Sequence, residues 1–386
     1  MVSESSREER GKAIAQQDGF VTRIDENTYT VKAQSCAHSY TVQREGEAWT
    51  CTCPDNFYRH LICKHIYAVD FSNQLRKRVR ENRIIKPIEN LNECIYCGSS
   101  NVVKDGKRKN KSGTLQIFEC RDCHKFFTFN IGFERMKHNP QAITTAMQLY
   151  FSGESLRNTM KSLKLLGIEV SHKTIFMWIK KYIGLMQNYV KTLKPNVSDT
   201  WRADELWVKI NGNMKYLFAM MDDETRYWIA QEVADTKYRH DARNLLRMSK
   251  EVMGKKPTTF ITDGLDSYHI AYLKEYYSHN KPRTKHIQHI KLRGDVNNNK
   301  MERMNGEIRD REKTMRGLKI DETPILQGYQ LFHNYIRPHE ALDGKTPSEA
   351  CGITVEGKNK WITLIQNASK NYKNKLKQKQ IWLGVA

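Results

Sequence analysis

Long apolar runs are absent from this chain of 386 residues. No stretch of about 18 consecutive apolar residues occurs, so the sequence predicts no membrane span. The N-terminal MVSESSREERGKAIAQQ is polar and mixed in charge, and it lacks the apolar core of a secretory signal. Acidic residues are also few, because 43 Asp and Glu stand against 64 Lys and Arg, a formal net charge of +21. We therefore expect a cytoplasmic, nucleoid-associated protein with a polyanionic partner, since each neutralised phosphate releases condensed counterions.

Nine cysteines need an explanation other than disulfides in a reducing compartment. Seven of them, with one histidine, fall into two spaced sets that can each supply four tetrahedral zinc ligands. The first set is Cys51, Cys53, Cys63 and His65. The second set is Cys94, Cys97, Cys120 and Cys123. His60 is a rival to His65 in the first set. The sequence thus predicts two structural Zn²⁺ ions per chain.

Three helical segments follow the second cysteine set. Apolar side chains recur at helical spacing over 141–151 and 154–166, and Gly167 is placed to end the second segment. Ser171 is the expected N-cap of the third helix. Three helices with a glycine turn before the last one are typical of a helix-turn-helix, and the alternative is a helical linker. Base edges would be read by His172, Lys173 and Thr174. Phosphates would lie nearer to Lys180 and Lys181.

From residue 200 onward, strand patterns precede an alternation of helix and strand. Strands are expected at 201–210, 215–221, 227–233, 257–262 and 286–290. Helices are expected at 239–253, 267–277 and 298–313. Asn211-Gly212 is a hairpin turn signal, and Trp201 and Trp207 are expected to pack in the core. Acidic residues stand within the first strand (Asp204), after the fourth (Asp263) and in the last helix (Glu302).

This order resembles the ribonuclease-H-like core of the DDE transposase and retroviral-integrase superfamily. The similarity covers about residues 200–350 and rests on Trp201-Arg-Ala-Asp204-Glu, Ile261-Thr-Asp263-Gly and Glu302-Arg-Met-Asn305-Gly. Arg309 stands seven positions after Glu302, the family offset for a basic residue. The gap from Asp263 to Glu302 is a few residues longer than is usual in the family. The first cysteine set resembles the SWIM zinc finger and the second a zinc ribbon, and the ribbon-plus-helices arrangement resembles prokaryotic insertion-sequence transposases.

The resemblance implies an α/β fold class. A ribonuclease-H-like mixed sheet would form the catalytic core, with N-terminal zinc-binding modules and a helix-turn-helix domain before it. Expected domains are a SWIM module at 1–83, a zinc ribbon at 84–138, a helix-turn-helix at 139–196, the DDE core at 197–352 and a basic tail at 353–386. Residues 1–20 are predicted to be disordered or loosely helical.

The same resemblance implies a catalytic triad of Asp204, Asp263 and Glu302. These carboxylates would hold two Mg²⁺ or Mn²⁺ ions, since in-line phosphodiester cleavage uses paired divalent ions and hard ions prefer oxygen ligands. Asp204 would bridge both ions and Arg309 would hold a phosphate. Glu307 is the alternative third carboxylate, on another face of the helix. The implied activity is cleavage of double-stranded DNA at element ends followed by joining of the freed 3′-OH to target DNA.

Some alternatives stay open at this point. Pairing two DNA ends suggests a homodimer or larger assembly. A domesticated DNA-binding regulator without catalysis, or a nuclease or resolvase of the same fold, would share these motifs. The lysines between 358 and 379 predict sequence-independent affinity for phosphates. The alternative for this tail is a helix packed on the protein through Trp361 and Leu364.

Overall fold

The computed structural model describes residues 4–15, 17, 19–24, 27–34, 38–46, 48–79, 83–88, 93–110, 113–128, 130–279, 283–288, 298–314, 318 and 323–382. These residues divide into two compact units. Unit 1 comprises Met1–Asn82, Pro195–Glu312 and Ala350–Gly352. Unit 2 comprises Arg83–Lys194, Lys313–Glu349 and Ile353–Ala386. No helix in the described part of the chain has the length and apolar content that crossing a membrane requires.

The first segment of unit 1 is a small antiparallel sheet covered by helices. Its elements are α1 (Glu4–Ala15), β1 (Val21–Arg23), β2 (Thr28–Lys32), β3 (Ser39–Glu45), β4 (Ala48–Cys51), α2 (Pro54–Phe57) and α3 (Lys64–Val79). The strands lie in the order β1-β2-β3-β4. Helix α1 packs against α3, and Ile14 is fully buried in a core shared with Val31 and Val42. Residues 4–15 therefore form a helix. The sequence predicted either disorder or a loose helix in this region.

Unit 2 begins with a three-stranded antiparallel sheet followed by three helices. The elements are β5 (Arg83–Ile85), β6 (Val102–Asn110), β7 (Gly113–Cys120), β8 (Phe126–Thr128), α4 (Pro140–Phe151), α5 (Leu156–Leu165) and α6 (His172–Val190). The hydroxyl of Ser171 accepts a hydrogen bond from the backbone N–H of Thr174 at 3.2 Å, so the predicted N-cap of α6 is confirmed. Gly167 has φ +74° just beyond α5, as predicted for the residue that ends that helix.

The second segment of unit 1 is a five-stranded mixed sheet. It contains β9 (Thr200–Ile210), β10 (Asn213–Asp222), β11 (Trp228–Ala234), α7 (Arg239–Met253), β12 (Thr259–Thr262), α8 (Asp266–Glu275), β13 (Lys285–Gln288) and α9 (Asn299–Thr314). The spatial order is β11-β10-β9-β12-β13. Strands β9 to β11 pair antiparallel, whereas β12 runs parallel to both β9 and β13. The predicted α/β class with a ribonuclease-H-like mixed sheet is confirmed, and residues 289–290 of the last predicted strand lie outside the described residues.

Local sequence explains how this sheet begins. Asn211 and Gly212 have φ of 50° and 85°, as a tight turn with two left-handed residues requires, so the predicted hairpin is confirmed. Trp201 is fully buried, as predicted.

The prediction that Trp207 packs in the core is wrong. It is 44% exposed and lies against Tyr216 of β10 with ring centroids 4.0 Å apart, because odd-numbered positions near the end of β9 face outward.

The remaining elements return to unit 2. They are α10 (Pro324–Leu331), a π-helical turn (Phe332–Ile336), a 3₁₀ turn (Glu340–Leu342), α11 (Pro347–Ala350), β14 (Ile353–Val355) and α12 (Lys360–Trp382). Strand β14 pairs parallel with β5. Helix α10 approaches α4 closely, since a Cβ on Gly328 would lie 2.4 Å from the Phe151 ring. Helix α12 packs on α4 and α6 with Trp361 and Leu364 buried, while Lys370, Lys373 and Lys375 are exposed.

Candidate active site and metal centres

Two of the predicted catalytic carboxylates meet where β12 ends beside β9. The parallel register pairs Ile261 with Arg202, which brings Asp263, just beyond β12, level with Asp204 in the middle of β9. A carboxylate oxygen from each of Asp204, Glu205 and Asp263 lies within 4.8 Å of the others. Asp204 is buried and Asp263 is exposed. The cluster therefore has one embedded carboxylate and one that faces solvent.

The third predicted carboxylate, Glu302, projects from the first turn of α9. Asn305, one helical turn later on the same side, donates a hydrogen bond from Nδ2 to Oδ2 of Asp204 at 2.8 Å. Asn298, just before α9, donates to the backbone oxygen of Ala203 at 3.4 Å. These two contacts dock the start of α9 against the middle of β9. The charge of Glu302 acts on Asp204, but Glu302 is not among the carboxylates that lie within 4.8 Å of one another. Glu302 itself is exposed.

Two other predicted positions on α9 differ in orientation. Arg309 is exposed two turns beyond Glu302, on the same side of the helix. Glu307, the rival carboxylate, is partly buried at a position about 140° around the helix from Glu302, given 3.6 residues per turn. Helical spacing accordingly places Glu302 and Arg309 on one side of α9 and Glu307 on another.

The pKa of Asp204 reflects its burial and the carboxylates around it. Burial raises its pKa to about 7, and the negative charges of Asp263, Glu205 and Glu302 add to the effect. Burial also raises the pKa of Glu205, against the opposing ion pair with Lys237. The Nζ atom of Lys237 lies 2.9 Å from Oε1 of Glu205. Several carboxylates thus face one another with one ammonium beside them, an arrangement in which a divalent cation would relieve repulsion.

A buried carboxylate links the segments on which Asp204 and Glu302 stand. Asp223, in the turn after β10, forms ion pairs with Arg202 and, at 2.9 Å, with Lys300. Arg202 precedes Asp204 by two residues and Lys300 precedes Glu302 by two. Burial opposes the charge of Asp223, but the neighbouring cations Arg202 and Lys300 outweigh it and lower its pKa. Asp223 therefore ties β9 to the first turn of α9.

The first predicted zinc set comes together in unit 1. The ligand atoms of Cys51, Cys53, Cys63 and His65 lie within 4.8 Å of one another, and all four residues are buried. Nδ1 of His65 is 3.8 Å from Sγ of Cys51 and 3.9 Å from Sγ of Cys63. His60, the rival ligand, is exposed and has φ +52°. The donor set of three thiols and one imidazole fits a tetrahedral zinc ion.

The second predicted zinc set comes together in unit 2, where the segment before β6 meets the end of β7 and the turn that leads to β8. Sγ of Cys94 lies 3.6 Å from Sγ of Cys123, and Sγ of Cys97 lies 3.5 Å from Sγ of Cys120. A tetrahedral zinc site with Zn–S bonds of about 2.3 Å needs sulfur atoms about 3.8 Å apart, so these spacings fit. Burial raises the pKa of Cys94, but backbone N–H groups of Cys97 and Tyr96 outweigh it and bring the value to about 7.

The residues predicted to read DNA lie at the start of α6 in unit 2. His172 and Lys173 are exposed and Thr174 is half-buried. Lys180 and Lys181 are also exposed, and Nζ of Lys181 lies 5.2 Å from the centroid of the Tyr182 ring. The opposite side of α6 is buried through Ile175, Trp178 and Ile179. The side of the first turn of α6 that is predicted to contact DNA is thus exposed rather than packed in the core.

Two residues of the active-site cluster were not singled out from the sequence. Glu205 follows Asp204 and was treated as part of the motif around it. Asn305 is part of the helix motif around Glu302, but the sequence analysis assigned it no role. The available signal was the i, i+3 spacing of Glu302 and Asn305, which places both on one side of α9.

Residues 198–339 match the DDE domain family, and residues 40–69 match the SWIM zinc finger. The transposase for insertion sequence-like element IS431mec of Staphylococcus aureus is 27% identical over 146 residues, 37% of this chain and 63% of that protein. The Staphylococcus aureus transposase for insertion sequence element IS257 in transposon Tn4003 matches to the same extent. The chain thus spans 63% of the length of these curated relatives. The catalytic core domain of HTLV-2 integrase, solved with magnesium, gives a TM-score of 0.30 at 15% identity, over 40% of this chain and 95% of that one.

Proposed function

We propose that the chain is a transposase, because residues 198–339 match a DDE domain. A DDE domain implies a divalent metal ion, and the SWIM zinc finger implies zinc. The protein would cut DNA at the ends of a mobile element and join those ends to target DNA. The observation that carries the proposal is the meeting of Asp204 and Asp263 beside the side of α9 that bears Glu302. The net charge of +21 supports a nucleic-acid partner.

We propose that Asp204, Asp263 and Glu302 together hold two Mg²⁺ or Mn²⁺ ions. The fit rests on the donor set, since hard divalent ions prefer carboxylate oxygens and here several carboxylates repel one another. Such a pair of ions, when bound, activates the attacking oxygen and stabilises the leaving oxygen of an in-line phosphodiester displacement. The two cysteine sets would each hold one structural Zn²⁺ ion.

The protein's own side chains would orient this chemistry. Asn305 fixes the Asp204 carboxylate through its hydrogen bond to Oδ2. Asp223 holds β9 and the start of α9 in register through Arg202 and Lys300. Arg309, exposed on the same side of α9 as Glu302, would contact a DNA phosphate. Asp263 and Glu302 are exposed, so a DNA strand can reach them from solvent.

Recognition of DNA would be divided between parts of unit 2. The first turn of α6 would read base edges of the element ends, with Lys180 and Lys181 on phosphates. The exposed lysines of α12 would add affinity that does not depend on sequence. We propose that two element ends are paired by a homodimer or larger assembly, acting on double-stranded DNA in the cytoplasm, associated with the nucleoid.

The test uses a plasmid that carries the gene with its flanking DNA, incubated with the purified protein, Mg²⁺ and a second target plasmid. We expect covalently joined products in which the flanking ends enter the target plasmid. Nicked or cut DNA without joining would indicate a nuclease or resolvase. Binding to the flanking DNA with neither cutting nor joining would indicate a regulator that keeps the fold without catalysis.

A further inference from the structure

Glu205 is the carboxylate of the cluster that the proposed chemistry leaves without a task. Its side chain is only 6% exposed although it stands beside the solvent-facing Asp263. Oε1 accepts a hydrogen bond from Nζ of Lys237 at 2.9 Å. Oε2 is buried and makes no hydrogen bond among the residues that the structure describes. The hydroxyl of buried Tyr268 lies beside Glu205, but burial and the charges of Glu205, Asp204 and Asp263 raise its pKa, so this neutral group does not balance the negative charge of that oxygen.

The end of β12 explains how Glu205 reaches the cluster. Neighbouring residues of a strand project to opposite faces of the sheet, so Asp204 faces α9 while Glu205 faces Lys237. Strand β12 pairs with β9 only as far as Arg202 and ends at Thr262. Beyond that point the β12 side of β9 is not paired within the described ranges. Side chains from both faces can therefore converge on Asp263, and the three carboxylates do lie within 4.8 Å of one another.

We infer that Glu205 is a fourth carboxylate of the divalent-cation site, with Lys237 holding its other oxygen. The inference rests on the proposed function, because it assigns a further ligand to the same site. Lys237 is itself held in place, since its Nζ lies 5.0 Å from the centroid of the Tyr216 ring. Because Lys237 holds Oε1, Oε2 is the oxygen that remains available to a cation. The ammonium lowers the negative charge of the site without occupying the space between the carboxylates.

A plain structural ion pair is the competing explanation for Glu205. In that case Lys237 and the neighbouring Tyr268 hydroxyl would account for the buried carboxylate, and the proximity to Asp204 and Asp263 would have no consequence for a cation. The two explanations differ in what Lys237 does. As a structural partner it is needed for Glu205 to stay buried, whereas at a cation site it competes with the cation for the same negative charge.

The experiment is a titration of the full-length, zinc-loaded protein with Mn²⁺ alone, followed by electron paramagnetic resonance. Glu205→Gln is expected to weaken Mn²⁺ binding by roughly ten- to hundredfold. Lys237→Met is expected to bind Mn²⁺ at least as tightly as the wild type, because it removes a competing positive charge and keeps the carboxylate. Glu251→Gln, an exposed carboxylate of α7, is the matched control and should change nothing.

Folding is followed in parallel by thermal unfolding and zinc content. If Glu205→Gln alone fails to fold, the double variant with Lys237→Met removes both partners of the ion pair and should fold and still bind Mn²⁺ weakly. Unchanged Mn²⁺ binding in a folded Glu205→Gln or in the double variant overturns the inference. Asp204→Asn distinguishes failure of the Glu205 inference from failure of the proposed metal site. Unchanged Mn²⁺ binding in that variant overturns the proposed metal site as a whole.

Discussion

Asp204→Asn should make the folded protein more stable at alkaline pH when no divalent cation is present. The Asp204 carboxyl has a pKa of about 7 in the fold, from an ordinary value of 3.8, because it is buried and faces Asp263, Glu205 and Glu302. Between these two values the folded state binds more protons than the unfolded state. Wild-type stability must therefore fall as pH rises from about 4 to about 7. An asparagine has no charge to bury and escapes this loss.

The size of the effect follows from the shift in pKa. A difference of about 3 pH units at about 1.4 kcal/mol per unit amounts to roughly 4 kcal/mol as an upper bound. For a unit of about 200 residues each kcal/mol moves the midpoint of thermal unfolding by roughly 2–4 °C. An upper bound of roughly 8–16 °C on the gain over the wild type is therefore expected at pH 8. Near pH 4 the two proteins should unfold at nearly the same temperature.

Thermal unfolding in Mg²⁺-free buffers, from pH 4 to pH 8, measures this directly. Glu251→Gln is again the control, since it removes an exposed carboxylate outside the cluster. Adding Mg²⁺ at pH 8 should stabilise the wild type and narrow its difference from Asp204→Asn. A difference between Asp204→Asn and the wild type that is absent at pH 8, or the same at pH 4 and pH 8, would refute the reasoning.

Three further predictions concern other parts of the molecule. Metal analysis should return two zinc ions per chain, and Cys94→Ser should lose one of them while Mn²⁺ binding persists; a wild-type value of one or none contradicts the zinc assignment. Asp223→Ala should lower the free energy of unfolding by about 3–5 kcal/mol, since it leaves the buried Arg202 and the nearly buried Lys300 without their shared carboxylate, and a loss under 1 kcal/mol would contradict this. Lys173→Ala should reduce the preference for element ends over random DNA by roughly 1–3 kcal/mol if it contacts a base, whereas deletion of 370–386 should weaken binding to both DNAs alike; the reverse pattern would show that the two roles are exchanged.

Much of the five-stranded mixed sheet could be predicted from the sequence because local signals agreed with the tertiary fold. The Asn211-Gly212 turn and the apolar strands around it each specify one structure. Helix α7 was predicted at 239–253 and the structure has Arg239–Met253. Such agreement is expected where backbone preference and burial act in the same direction.

The contacts of Glu205 and Trp207 could not be predicted, because both depend on where neighbouring strands end. Alternation along β9 indicates which face a side chain takes, but not that β12 stops at Thr262 and leaves room for Glu205. Trp207 is apolar and was assigned to the core by composition. Its surroundings are set by Tyr216 on β10, a partner that only the register identifies.

The N-terminal helix shows the same limitation at longer range. Residues 4–15 are strongly polar, which suggested disorder or a loose helix. Helix α1 packs extensively against α3, with Ile14 buried and Gly11 so close that an added Cβ would lie 2.5 Å from Cβ of Tyr67. No local pattern in the sequence reports a partner that lies more than fifty residues away.

Strand transfer by two variants of α9 tests the central claim most directly. Glu302→Gln should reduce joining of flanking ends to a target plasmid at least about 100-fold, because several kcal/mol of charge stabilisation are lost, while DNA binding stays intact. Glu307→Gln, on another side of the same helix, should join ends at the wild-type rate. Wild-type joining by Glu302→Gln in Mg²⁺, or loss of joining in Glu307→Gln alone, would contradict the assignment of the active site.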